Sequence, residues 1–133
     1  MGVNEAGVTR KLVTALIQHM PHALVLRHED RFSAGIPDLS VSGGGRTTWW
    51  EVKLANPGCT SKEIQQYICA RLDSANFCRY LIYELRTKNI WVVKPDHFTT
   101  WRQDGKAFPT MDAALEFMKE VHDAGHHHAD HSE

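Results

Sequence analysis

The fold is decided by the stretch PDLSVSGGGRTTWWEVKL, residues 37–54. Polar and apolar residues alternate over residues 37–42 and again over 47–54, which is the period of a half-buried β-strand. Three consecutive glycines at 43–45 interrupt the alternation and favour a turn. The sequence therefore predicts a β-hairpin.

Acidic and basic side chains share one face of this hairpin. Glu51 and Lys53 lie on the same side of the second strand, because side chains alternate along a strand. If the loop covers residues 43–46, Asp38 lies directly opposite Glu51. Two facing carboxylates require a cation, a raised pKa or screening water, and hard oxygen ligands suit Mg²⁺. A solvated polar hairpin face is the alternative that this pattern leaves open.

Helices are predicted on both sides of the hairpin. Residues 5–18 show helical apolar spacing behind an Asn4 N-cap, and Glu5 falls on the apolar stripe that faces the sheet. Thr60 and Glu63 have capping-box spacing for a second helix. Gln65 borders its apolar stripe, which is predicted to comprise Ile64, Ile68, Leu72 and Ala75.

The remaining chain continues a mixed α/β domain. Strands are predicted at residues 23–27, 80–85 and 90–93, a polar loop at 28–31, a short helical piece at 97–101, and a last helix over 111–124. Thr110 is predicted to cap that last helix and Gly125 to end it. The order is α-β-β-β-α-β-β followed by helices.

Composition indicates one domain without an overall basic signature. The 133 residues hold 15 Lys and Arg against 16 Asp and Glu, a net charge of −1. Residues 1–88 carry 11 basic against 8 acidic residues, and residues 89–133 carry 4 against 8. The chain shows neither a membrane-length apolar run nor a signal-peptide pattern, and its three cysteines form no C-x-x-C pair. A cytoplasmic protein with reduced thiols is expected.

A family resemblance is carried by Pro37-Asp38 followed by Glu51-Val52-Lys53, which is similar to the PD-(D/E)xK nuclease motif. With Asn4-Glu5, the segment Gly35-Ile36-Pro37-Asp38-Leu39 and Gln65, the pattern most resembles the virus-type replication-repair nuclease (VRR-NUC) family over residues 4–94. The family commonly has a large aromatic residue three positions after the glutamine. This chain has Ile68 there, with Tyr67 one position earlier, and Gln66 remains an alternative to Gln65.

The resemblance implies a restriction-endonuclease-like αβββαβ core with a mixed central sheet flanked by helices. That core would span residues 1–94, a C-terminal helical extension of the same domain 95–125, and a disordered His-rich tail 126–133. The implied activity is Mg²⁺-dependent DNA endonuclease, with Mn²⁺ as a substitute and branched DNA such as Holliday junctions as substrate, in repair or recombination. The matched positions imply Asp38, Glu51 and the Val52 carbonyl as metal ligands, Glu5 as an accessory acid, Lys53 on the attacking water and Gln65 in support.

The nuclease interpretation also predicts the binding partners of the protein. Candidate DNA contacts are basic residues, namely Arg10, Lys11, Arg27, Arg31, Arg46 and Lys62. A homodimer is expected because symmetric cutting of two strands needs two active sites. No membrane partner and no small organic cofactor are expected, and a phage protein of this kind would act in the host cytoplasm.

Two other functions remain open from the sequence. A non-catalytic DNA-binding or assembly module would suit the near-neutral charge and the acidic C-terminal third. The histidines at the end of the chain, His122, His126, His127, His128 and His131, could instead bind a transition metal.

Overall fold

A six-stranded mixed β-sheet is the centre of the computed structural model, which describes residues 2–29 and 35–131, the last seven of them as backbone alone. The strands are β1 (Leu24–Arg27), β2 (Leu39–Gly43), β3 (Arg46–Ala55), β4 (Cys78–Glu84), β5 (Ile90–Val93) and β6 (Lys106–Phe108), in that order across the sheet. The helices are α1 (Glu5–His19), α2 (Glu63–Ala75), a 3-10 helix (Pro95–Thr100), α3 (Trp101–Asp104) and α4 (Met111–His131). The expected α/β class is confirmed.

The predicted hairpin is formed by β2 and β3. Gly43 pairs with Arg46, so the turn contains only Gly44 and Gly45 and is tighter than the predicted loop. Both turn glycines have positive φ, 61° and 77°, as a two-residue type I′ turn requires. The expected register is confirmed, but the ladder ends with Leu39 opposite Trp50. Asp38 therefore lies one residue beyond the ladder, at the position that the same register would place opposite Glu51, but it is not a ladder partner of Glu51.

The strands β3 and β4 are parallel and are joined by α2, which supplies the crossover that parallel strands need. The other neighbouring strands are antiparallel. Glu51 lies beside Tyr80 and Lys53 beside Ile82 in the β3–β4 register. These four side chains consequently point to the sheet face that α2 covers.

Each face of the sheet has its own apolar core. The α1 and α4 side is built from residues that include Val8, Leu12, Leu16, Trp50, Val52, Leu115 and Met118. The α2 side is built around Cys69, Tyr80, Ile82, Phe98 and Trp101, with the 3-10 helix and α3 completing it. The two cores hold β3 from both sides, which fixes the strand that carries Glu51 and Lys53.

The predicted N-terminal cap is confirmed for α1 but not for α2. Asn4 caps α1 as predicted, since its Oδ1 accepts a hydrogen bond of 2.7 Å from the Gly7 amide. The predicted capping box at Thr60 is wrong, because α2 begins at Glu63 behind an Lys62 N-cap. The side chain of the third helical residue, Gln65, accepts from the Lys62 amide at 3.1 Å.

The buried side of α2 also differs from the predicted stripe. Cys69 is fully buried, whereas Ile64 and Ala75 are exposed. Ile64 and Ile68 instead enclose Gly35, where an added Cβ would lie 2.8 Å from the Ile68 side chain. Leu72 packs against the α2-side core as the predicted stripe requires, so the prediction is wrong for Ile64 and Ala75 and misses Cys69.

The C-terminal region contains one strand more than predicted and a longer helix. The edge strand β6 precedes α4, which passes through Gly125 and continues to His131, so the predicted stop at Gly125 is wrong. The backbone of residues 126–131 is therefore helical rather than the expected disordered tail, and residues 132–133 lie outside the described part. Among the described residues, no helix is long and apolar enough to cross a membrane.

Candidate active site

Glu51 and Lys53 form a nearly buried ion pair in the second half of β3. Their charged atoms, Lys53 Nζ and Glu51 Oε2, are 3.4 Å apart. Glu51 is 4% exposed and Lys53 is 7% exposed. Burying charged groups costs free energy unless they are paired or bind an ion. Burial of this pair therefore lowers the stability of the fold unless another interaction compensates, and packing of the sheet does not require it.

Asp38 reaches the same place from the start of β2. Its Oδ2 accepts a hydrogen bond of 2.8 Å from the Val52 amide. The Asp38 carbonyl in turn accepts from the His28 amide at 2.8 Å, which ties it to the end of β1. Although Asp38 is not a ladder partner of Glu51, its carboxylate lies close enough to interact with that of Glu51.

The two carboxylates have strongly altered acidity. Burial, followed by the negative charge of Asp38, raises the pKa of Glu51 to about 8, and the Lys53 ammonium only partly opposes this. Burial also raises the pKa of Asp38, against the Val52 hydrogen bond and the charge of Lys53. The site thus holds less negative charge than two free carboxylates would, and a bound cation would relieve the repulsion.

The glutamine predicted from the sequence contacts this ion pair. Lys53 Nζ donates to Gln65 Oε1 at 2.8 Å. Gln66, the open alternative, points elsewhere and donates to the Ser61 carbonyl at 2.8 Å. Gln65 is therefore the residue that α2 brings to Lys53.

Glu5 lies at the edge of the site. Its Oε2 accepts a hydrogen bond of 3.1 Å from the Leu54 amide, so the first turn of α1 reaches β3 as predicted. The residue itself is exposed, and its charge contributes to the raised pKa of Asp38. Glu5 can therefore approach a ligand at Asp38 from the solvent side.

The oxygen donors fit a hard divalent cation better than a transition metal. In residues 2–29 and 35–124, no three His, Cys, Asp or Glu side chains cluster as a metal site. A pair of carboxylates with a backbone carbonyl is nevertheless a normal donor set for Mg²⁺, which keeps several waters. Asp38, Glu51 and the Val52 carbonyl fit that description.

The predicted DNA-contact residues are spread over the surface. Lys62 lies at the start of α2, where its backbone amide donates to Gln65. Arg27 ends β1 opposite Leu39, whose side chain is in the α1–α4 core, and forms an ion pair of 3.6 Å with Glu29. Arg10 and Lys11 are exposed on α1. Arg46 is roughly 16 Å along β3 from Glu51. It donates to the Val121 carbonyl at 3.1 Å, so it anchors α4.

Arg31 lies outside the described residues. Among the five candidates that the described structure includes, Lys62 is linked to the site through its backbone amide, which donates to the same Gln65 oxygen as Lys53.

Sequence reasoning missed three residues around the site. Ser61 and Tyr80 extend the contacts of Gln65, and their hydroxyl oxygens are 2.8 Å apart. His28 Nε2 lies 2.8 Å from Ser40 Oγ, and its ring lies 5.2 Å from that of Trp49. A serine before a helix and a tyrosine inside an apolar strand give no local functional signal, because both are common in those places.

A cavity of about 450 Å³ lies away from this site, at the turn between β2 and β3. Its lining includes Gly43, Gly44, His19, Lys119 and His122. His122 is 6% exposed and is the one member of the predicted His-rich set whose side chain is described. The transition-metal hypothesis for the other four histidines lies outside the described side chains.

No protein-family model matches the chain, and no curated protein matches it.

Proposed function

We propose that this protein is a Mg²⁺-dependent DNA endonuclease that prefers branched or junction DNA to linear duplex. The observation that carries the proposal is that Asp38, which precedes β2, binds the Val52 amide between the buried Glu51 and Lys53 of β3. Residues held in this way, with acidity altered by burial and by each other, are typical of functional sites. The resemblance to PD-(D/E)xK nucleases supports the same reading and a restriction-endonuclease-like core.

The residues divide into ligands and groups that act on the substrate. Asp38, Glu51 and the Val52 carbonyl would hold Mg²⁺ or Mn²⁺, with Glu5 as an accessory acid. When bound there, the ion would supply Lewis-acid stabilisation of phosphate charge and acidify a water molecule. Lys53 keeps its ammonium group within 3.4 Å of Glu51 and would orient the attacking water. Its positive charge would also stabilise the negative charge that develops on the phosphate.

The DNA would be held mainly through its backbone. Lys62 is the candidate phosphate contact whose backbone reaches the site, through Gln65, and phosphate contacts give affinity without sequence information. A domain of 133 residues offers little surface for reading bases, so selectivity is expected to come from DNA shape. Branched DNA is the substrate class that best suits these properties.

A panel of labelled substrates tests this function. We expect cleavage of a four-way junction and a flap to exceed that of linear duplex by about tenfold or more. Cleavage should require Mg²⁺ or Mn²⁺ and stop in EDTA. Equal cutting of all three substrates would contradict the structural selectivity. Binding of all three without any cutting would instead support a non-catalytic DNA-binding or assembly module, which the acidic residues 89–133 also favour.

A homodimer is part of the proposal, because paired cuts on two strands need two active sites. Gel filtration with light scattering should give a mass near twice 15.1 kDa, at least when a junction is bound. A monomer at working concentration, both with and without the junction, would contradict the dimer but not the cleavage.

A further inference from the structure

We propose that Ser61 and Tyr80 are positioning residues for Lys53 and act on it through the amide of Gln65. This inference rests on the proposed function, because the placement of the Lys53 ammonium matters only if it serves a reaction. The three contacts run from the core of the sheet to the site. They connect Tyr80 on β4, Ser61 before α2, Gln65 on α2 and finally Lys53.

The side-chain carbonyl oxygen of Gln65 is the acceptor that the hydrogen bonds of this network share. It accepts from Lys53 Nζ at 2.8 Å, from the Lys62 amide at 3.1 Å and from Ser61 Oγ at 3.3 Å. A carbonyl oxygen has two lone pairs, so three donors saturate it. These donors also define which way the Gln65 side-chain amide is turned, because its NH₂ group is itself a donor and could not face the Lys53 ammonium or the Lys62 amide. Gln65 can thus present only an acceptor to Lys53.

The direction of every hydrogen bond in the network follows from these contacts. Lys53 can only donate and the Gln65 carbonyl can only accept, so the Ser61 hydroxyl must give its proton to Gln65. In the 2.8 Å contact between Ser61 and Tyr80, the serine oxygen is then the acceptor and Tyr80 the donor. The hydrogen bonds therefore run from Tyr80 through Ser61 to the Gln65 oxygen, and hydrogen bonds aligned in this way strengthen one another.

The far end of the network is rigid. Tyr80 is fully buried, and its ring packs 4.4 Å from that of Phe98. The backbone of Ser61 is held separately, because Gln66 Nε2 donates to its carbonyl at 2.8 Å. Lys53 is thereby linked to the core of the domain, although its own stem has several rotatable bonds.

Lys53 needs this support because it has a competing partner. Glu51 Oε2 is 3.4 Å from Nζ, and the two opposite charges attract each other. A Lys53 ammonium that closed on Glu51 would occupy the carboxylate proposed as a metal ligand and would leave the position from which it faces the substrate. The network supplies the opposing attraction and keeps Lys53 between Gln65 and Glu51.

The test compares Ser61→Ala with Ser61→Thr, which retains a hydroxyl, and with Tyr80→Phe. Ser74→Ala on the exposed side of α2 and Tyr83→Phe on the other face of β4 serve as matched controls. Under single-turnover conditions with saturating junction DNA and Mg²⁺, we expect Ser61→Ala to cut about tenfold more slowly and Tyr80→Phe about threefold more slowly. Ser61→Thr, both controls and the Kd for DNA should stay within about twofold of wild type.

A second readout does not depend on activity. The NH₃⁺ resonance of Lys53, assigned by its loss in Lys53→Met, is followed by NMR in the full chain without metal. We expect Ser61→Ala to shift or broaden it, and Ser61→Thr and the controls to leave it in place. An unchanged resonance in Ser61→Ala would overturn the inference, as would unchanged rates in both Ser61→Ala and Tyr80→Phe. If wild type cuts no DNA, the proposed function fails, whereas the resonance still decides whether Ser61 and Tyr80 position Lys53.

Discussion

Replacement of Lys53 with alanine is expected to lower the rate of DNA cleavage by about 100- to 1000-fold while DNA binding persists. The ammonium group lies beside Glu51 and Gln65 and is only 7% exposed, so its charge acts in a site with little water. In the proposed mechanism this charge serves the reaction rather than DNA binding, so its removal should lower the rate without weakening the complex. The measurement is single-turnover cleavage of a four-way junction, with Kd determined by fluorescence anisotropy in Ca²⁺.

Two further variants control for folding and for charge. Lys53→Met keeps the volume of the buried stem, so it distinguishes loss of the ammonium from loss of packing. Lys94→Ala removes an exposed lysine and should cleave like wild type. Cleavage by Lys53→Met within about tenfold of wild type would refute the role of Lys53, because charge removal at such sites costs more than that.

The Glu51→Gln substitution is expected to abolish cleavage and to remove the pH dependence that Glu51 gives to stability. In the metal-free protein the pKa of Glu51 is about 8 when folded, against an ordinary value of 4.5. The folded state thus binds the proton more tightly than the unfolded state, so stability is greatest below about pH 5 and falls as the pH rises to 8. Wild-type Tm without metal should fall by on the order of 10 °C over that range from this group.

Mg²⁺ should reverse the loss in wild type, because it binds the deprotonated carboxylates. The Glu51→Gln protein should show a weaker dependence of Tm on pH and little stabilisation by Mg²⁺ at pH 8. Glu63→Gln, which changes an exposed glutamate at the start of α2, is the matched control and should behave like wild type. Equal stabilisation of Glu51→Gln and wild type by Mg²⁺ would show that Glu51 is not a ligand.

Much of the site could be predicted because it depends on a hairpin. The glycines at 43–45 fix the turn, the turn fixes the register, and the alternation of side chains then places Glu51 and Lys53 on one face. The same counting places Asp38 next to Glu51, one residue beyond the end of the observed ladder. Its actual hydrogen bond to Val52 depends on how the chain leaves β2, which the register does not determine.

The contribution of α2 was harder to predict, because two N-terminal signals competed in its sequence. Thr60 with Glu63 and Lys62 with Gln65 both allow a cap, and the tertiary contact of Gln65 with Lys53 accompanies the second. The predicted apolar stripe was right for Leu72, which packs against the α2-side core, but wrong for Ile64. Ile64 packs around Gly35 instead of reaching the sheet, and such a contact has no sequence periodicity.

Two features near the end of the described chain could not be predicted, namely the continuation of α4 through Gly125 and the short strand β6. Gly125 is tolerated inside α4 because a helix-interior glycine costs only about 1 kcal/mol relative to alanine. The strand β6 is three residues long, too short for alternation to be recognised. Both features lie beyond the residues that resemble the nuclease family, and neither alters the candidate site.

The central claim is that the protein cleaves a DNA junction in a reaction that needs both Mg²⁺ and the Lys53 ammonium group. The most direct measurement places wild type in Mg²⁺, wild type in EDTA and Lys53→Met in Mg²⁺ side by side, at equal protein concentration on a labelled four-way junction. We expect product from wild type in Mg²⁺ alone. Product that persists in EDTA, or that Lys53→Met generates at the wild-type rate, would contradict it.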